Sequence, residues 1–243
     1  MARATFPPWA ADADEHCSGR APALGGSPAL PPYFTNNTTI CSREESRHLL
    51  DLPAASLLIG VLDCGGNGPT FALEVLYRLQ QEHNSEAELV VVGGPATPPK
   101  PERWAALREL AQQLHLSFRL HLRPLHHTDT PYLLYSSLDV LLLPDTQDAN
   151  CLSVLEAMAS GCPLVSAHTP DAADLLLHGH TARFFRAHDV ATCAKQLFIA
   201  LSAPAKSRLF AERAVAHARF HFAPVEQSQQ VESILDYINQ EQA

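Results

Sequence analysis

No apolar run in this 243-residue chain approaches the roughly 18 residues that a membrane-spanning helix requires. There is no cationic surplus either: 17 Lys and Arg stand against 26 Asp and Glu, a net charge of −9. That balance argues against binding nucleic acid through a general electrostatic field, although one local basic cleft stays compatible with it. The six cysteines (17, 41, 64, 151, 162 and 193) form no C-x-x-C pair. Neither a zinc framework nor a disulfide scaffold is therefore predicted, and scattered thiols in a domain this large are expected to be reduced and partly buried. The opening Met-Ala-Arg-Ala-Thr-Phe-Pro-Pro has no apolar core and turns acidic at Asp12, Asp14 and Glu15, unlike a secretory signal or transit peptide. An intracellular protein without a membrane span is the expectation. Asn36 and Asn37 then match the N-glycosylation pattern by coincidence.

What is present reads as an ordinary globular protein, with 46% hydrophobic and 18% charged residues. His126-His127 and His178-x-His180 are the candidate metal pairs among 13 histidines. No nearby carboxylate or cysteine completes a set, so no metal and no other cofactor is assigned. Residues 1–50 differ from the rest. Pro7, Pro8, Pro22, Pro28, Pro31 and Pro32 fall among Ala, Gly and Ser, which predicts an arm without regular structure. Residues 51–243 form the predicted domain.

Within that domain apolar runs alternate with longer amphipathic stretches. Strands are predicted at Leu57–Leu62, Leu89–Val92, Phe118–Leu122, Leu138–Leu143, Pro163–Ser166 and Ala182–Phe185. Helices are predicted from about Thr70, with Leu73, Leu76, Tyr77 and Leu79 on one face, and over 102–115, 131–136, Cys151–Ser160, Ala172–Leu177, Val190–Leu201, Lys206–Arg219 and Val225–Gln240. Gly161 closes the Cys151–Ser160 helix. Strands apolar on both faces and separated by helices imply a single Rossmann-like α/β domain, a parallel sheet covered on both sides. Ligands of such sheets bind at the carboxyl ends of the strands, which directs attention to 63–68, 93–99, 123–130 and 144–150.

The segment from Leu143 to Phe185 is the most informative. Asp148 lies in a strand-exit loop and Glu156 on the following helix. Carboxylates placed around a helix N-terminus suit a ligand with an anionic centre and hydroxyl-rich ends. The free N–H groups near Asn150 and Cys151 would face the anion. By spacing alone, a solvated loop Asp148 and an exposed helical Glu156 are the simpler reading.

The same segment resembles the signature of retaining GT-B glycosyltransferases that use nucleotide sugars. Those enzymes carry two glutamates separated by seven residues, then Ala-Met-Ala, Gly and Pro-Val. Here the stretch reads Asp148, Glu156, Ala157-Met158-Ala159, Gly161, Pro163 and Leu164, continuing through Asp174 and Gly179-His180-Thr181-Ala182. Gly60 resembles the family's first-strand glycine, Gly93-Gly94-Pro95 its second-strand turn, and Leu138-Asp139-Val140 the strand before the signature. The likeness covers about residues 50 to 238 and implies half of a GT-B fold. It implies that Glu156 holds the ribose, that Asp148 contacts the donor sugar, and that Ala149, Asn150, Cys151 and Leu152 meet the diphosphate or sugar. The loop after Leu122 would lie along the base.

Two departures qualify what the resemblance implies. The family's arginine after the first-strand glycine and lysine before the next glycine grip the diphosphate, and here Val61 and Asn67 stand there. Two hydrogen bonds to a charged group are worth roughly 3–6 kcal/mol. Arg123, His126, His127 and Arg183 are the cations available to substitute. The family also reacts in a cleft between two such domains, and only the proline-rich arm precedes Leu57. The expectation is a glycosyltransferase-like domain that binds a UDP- or GDP-linked sugar at Gly60, Asn67, Arg123, Asp148 to Leu152 and Glu156. It would transfer a hexose only with a partner subunit covering the cleft face. The alternative is a degenerate, non-catalytic domain serving as an accessory subunit of a larger complex.

Overall fold

The computed structural model describes residues 42–64, 66–93, 100–124, 131–144 and 151–222. The arm from Pro7 to Pro32, His126, His127, Gly94-Pro95, the loop from 145 to Asn150 and the helix expected over Val225–Gln240 lie outside the described residues.

Six strands run in the order β1 (Leu58–Asp63), β2 (Glu88–Gly93), β3 (Leu120–Pro124), β4 (Val140–Leu143), β5 (Leu164–Ala167) and β6 (Arg183–Phe185). Between them lie α2 (Gly68–His83), α3 (Pro101–Gln113), α4 (Pro131–Ser137), α5 (Cys151–Ala159) and α6 (Pro170–Leu175). Helix α1 (Arg43–Leu49) precedes the sheet, and α7 (Val190–Ser202) and α8 (Pro204–Phe222) follow it. All strand pairs are parallel, in the spatial order β3-β2-β1-β4-β5-β6.

Strand side chains alternate between two cores. Ile59, Val61, Leu89, Val91, Val140 and Leu142 pack with α2, α3 and α7. Leu58, Val90, Val92, Leu141 and Leu143 pack with α4, α5, α6 and α8. Burial on both faces explains why the strands read as unbroken apolar runs.

Gly60 in mid-β1 is required by packing. A Cβ there would stand 2.2 Å from Leu138 Cδ1, so the leucine lies directly on the bare backbone. Gly161 closes α5 as the sequence predicts, with φ +67°. Its N–H bonds the Met158 carbonyl at 3.0 Å and the Cys162 N–H reaches Ala157 O at 3.0 Å, the two bonds of a Schellman motif.

Three expectations need correction. Regular structure begins before residue 50: Ser42 and Glu45 form a reciprocal capping box that starts α1. Tyr77 is 39% exposed, because the buried stripe of α2 runs through Ala72, Leu73, Val75, Leu76 and Leu79 and leaves it at the margin. β3 begins at Leu120, since a single 3-10 turn, Ser117–Arg119, takes up the preceding residues. Phe118 there is 97% exposed.

Helix α1 is bolted to the amino ends of the strands by Arg47, which is 2% exposed. Its Nε donates to Ser137 O at 2.8 Å, and Nη1 donates to the carbonyls of Pro53, Ala54 and Ser56. Its Nη2 reaches Asp139 Oδ2 at 2.9 Å. Burial lowers the Arg47 guanidinium to about 10, which leaves it charged at neutral pH. The same Asp139 oxygen accepts the Leu58 N–H at 2.7 Å, and Arg43 pairs with its other oxygen.

Candidate functional site

The strand order reverses between β1 and β4. The chain leaves β1 toward β2 on one side and leaves β4 toward β5 on the other, so their exits diverge and open a crevice at the carboxyl ends. Its β1 wall is Asp63, Cys64, Gly66 and Asn67, leading into α2, and its β4 wall is Pro144, with α5 starting at Cys151. The walls nearly touch at their base, where a Cβ on Gly68 would lie 3.4 Å from Pro144 Cγ.

Glu156 sits in the second turn of α5 and is 7% exposed. Of the two placements left open by spacing, the exposed helix position is therefore excluded. Tyr135 of α4, 3% exposed, donates its hydroxyl to Glu156 Oε2 at 3.2 Å. Burial, followed by the Glu156 charge, holds the Tyr135 phenol well above its ordinary value, so it stays a protonated donor. The sequence reading passed over Tyr135. Its one available signal was a tyrosine in the short helix immediately before Leu138-Asp139-Val140.

Asp63 is a second buried carboxylate that the sequence reading did not single out, at 3% exposure. Its Oδ2 accepts the Trp104 indole N–H at 3.0 Å, and its Oδ1 lies 2.9 Å from Arg103 Nε. The end of β1 is thereby tied to α3.

Val61 is wholly buried against α2, α3 and α7. Asn67 is exposed at the N-cap of α2, and its side chain makes no capping bond. Gly60 lies inside the sheet beneath Leu138, and Leu152 is half-buried in the first turn of α5. Arg123, at the end of β3, is engaged by the carbonyl and carboxylate of Asp51. Arg183 opens β6 at its amino end, its guanidinium 5.2 Å from the centre of the Phe210 ring. Neither arginine belongs to the crevice wall. Asp148, Ala149 and Asn150 lie outside the described residues, as do the side chain of Cys151 and both His126 and His127.

Other polar features serve the fold. A cavity of about 560 Å³ at the opposite end of the sheet is lined by Arg43, Arg47, Asp139, Ser207 and Arg208. Its core is the Arg47–Asp139 network described above. Burial pushes the Cys162 thiol up to about 12 and raises that of Cys193 as well, so both are inert packing residues. Among the described residues no helix is long and apolar enough to cross a membrane.

The parallel sheet covered by helices on both faces is consistent with a Rossmann-like half of a GT-B fold. Residues 56–202 match the family described as "Glycosyl transferases group 1", and the chain belongs to it. It is 30% identical over 155 residues to a D-inositol 3-phosphate glycosyltransferase of Nocardia farcinica, covering 62% of this chain and 34% of the relative. It spans 34–43% of the length of the curated relatives it matches. Among solved structures, Anabaena HepE in complex with UDP-glucose superposes with a TM-score of 0.68 at 18% identity, over 86% of this chain and 54% of that one. The C-terminal domain of a group 1 glycosyl transferase from Francisella tularensis gives 0.64 at 15% identity, over 75% of this chain and 94% of that domain.

Proposed function

We propose that this chain is the donor-binding half of a glycosyltransferase, holding a nucleotide sugar in the crevice between β1 and β4. The observation that carries the reading is Glu156, a carboxylate buried on the helix that leaves β4 at the switch point. Hydroxyl-rich ligands suit a carboxylate acceptor at this place. Glu156 takes the ribose hydroxyls, and Asp148 and the backbone from Ala149 to Leu152 meet the sugar and diphosphate. Asn67, exposed at the N-cap of α2, completes the proposed set, whereas Gly60 lies beneath Leu138 and Arg123 is held by Asp51, so neither is placed on the ligand. UDP- and GDP-linked sugars are the candidate donors, with UDP-glucose first because a structural neighbour was solved with it. Transfer itself needs groups on both sides of the reacting carbon, so activity is assigned to the pairing of this domain with a second one.

A second reading, a non-catalytic accessory domain, is favoured by Val61 and Asn67. Two absent charge-assisted contacts weaken diphosphate binding by about two to four orders of magnitude. Calorimetry against a panel of UDP- and GDP-sugars, with Glu156→Ala beside the natural chain, separates the outcomes. Weak binding that vanishes in the variant supports donor binding. Micromolar or tighter binding indifferent to Glu156 overturns its role, and no binding to any donor leaves the accessory reading.

A further inference from the structure

We propose that Tyr135 is a positioning residue for Glu156, its hydroxyl fixing the carboxylate in the orientation that receives the ligand. The inference rests on reading Glu156 as the ribose carboxylate. The phenol ring is locked in the core with Leu134, Leu138, Val154, Leu155 and Met158, so the hydroxyl has little freedom of direction. A tyrosine hydroxyl carries one proton, and here it goes to Glu156 Oε2 at 3.2 Å. This bond joins α4 to α5 at the carboxylate.

Packing alone does not ask for this arrangement. A phenylalanine would fill the same volume, and Glu156 would then be a buried carboxylate short of one partner. A long, rotatable side chain held at one oxygen loses fewer rotamers when a ligand arrives, and less of the binding energy is then spent on ordering it. Tyr135 thus acts on the ligand through Glu156 and not by its own contact.

The test uses the full chain and Tyr135→Phe, which keeps the ring and deletes only the hydroxyl. Two quantities are measured: the dissociation constant of UDP-glucose by calorimetry, and the titration midpoint of the Glu156 carboxyl carbon by NMR without ligand, assigned with Glu156→Gln. The variant should bind UDP-glucose about two- to tenfold more weakly, as expected for ordering one freed side chain on binding. The carboxyl midpoint should rise by about one pH unit, as expected for the charged form losing one hydrogen bond at the weak end of its range. A purely structural tyrosine would lower the melting temperature and move neither quantity, and that result overturns the proposal. If the natural chain binds no UDP-glucose, the donor-binding reading fails, and the midpoint still decides the Tyr135–Glu156 coupling. Should Tyr135→Phe not fold, 3-fluorotyrosine at position 135 replaces it. This stronger donor should lower the midpoint, and an unchanged midpoint counts against the proposal.

Discussion

Asn67→Lys should restore a lost grip on the diphosphate, and the structure indicates why this position tolerates the change. Asn67 is exposed, and its side chain makes no capping bond, so removing it breaks no contact at the N-terminus of α2. A lysine there opposes the helix dipole by about 0.3–1 kcal/mol, which should appear as a small loss of stability in the free protein. In return, one charge-assisted hydrogen bond to a phosphate is worth about 1.5–3 kcal/mol. Because the site is open to solvent the lower figure applies, about tenfold in affinity. Calorimetry with UDP and with uridine separates the contributions: UDP should gain about tenfold, uridine nothing, and the gain should shrink with added salt. Val61→Arg is the contrasting control. It forces a guanidinium into the fully buried α2/α3/α7 core and should unfold the domain rather than improve binding. If Asn67→Lys leaves UDP affinity unchanged, or helps uridine equally, the crevice above α2 is not where the diphosphate lies.

Two further outcomes concern stability. Gly60→Ala should cost about 1–3 kcal/mol in urea melts by driving a methyl into Leu138, and combining it with Leu138→Ala should cost less than the sum of the single changes; strict additivity would refute the contact. His178 accepts the Phe184 N–H on Nδ1 at 2.8 Å, and burial, then Arg183 and His168, depress its protonation. The unfolded chain therefore takes up that proton first. The His178 contribution is complete above about pH 6.5 and is lost as pH falls through the lower folded value. Melting temperature should drop below that pH less steeply in His178→Ala, and an equal acid slope in both proteins would dismiss the assignment.

The sheet was legible because burial on both faces leaves apolar runs such as Leu89–Val92 with no competing pattern, and because Gly161 marks the end of α5 unambiguously. Helix α1 was missed among the prolines although Ser42-x-x-Glu45 spells its capping box, since composition over a long stretch masks a seven-residue helix. At the site, the position of Glu156 could be read from the signature, but its burial could not. That depends on α4 packing against α5, a contact between segments whose spacing carries no periodicity. Asp63 lies in the 63–68 loop that the sequence points to, but its burial and pairing could not be read for a related reason. An aspartate ending a strand reads as a turn residue, and only the arrival of Arg103 and Trp104 from α3 makes it an anchor.

Buried charge separates what the fold needs from what it merely carries. Arg47 is enclosed at the amino ends of the strands, yet it gathers carbonyls from Pro53, Ala54, Ser56 and Ser137 and so ties the segment before β1 to the sheet. Asp63 likewise joins β1 to α3. Each desolvated charge has a structural return, because removing it would release an element. On the proposed reading Glu156 has a further reason to stay: besides its bond to Tyr135 of α4, which packs against α5, its carboxylate would meet hydroxyl groups at the switch point. The losses at Val61 and Asn67 weigh differently, because a core valine and an exposed asparagine cost the fold nothing. On that reading the two sites constrain the function unequally: the absent cations would limit how tightly a diphosphate is held, while the buried carboxylate would still offer an acceptor to a ligand's hydroxyls.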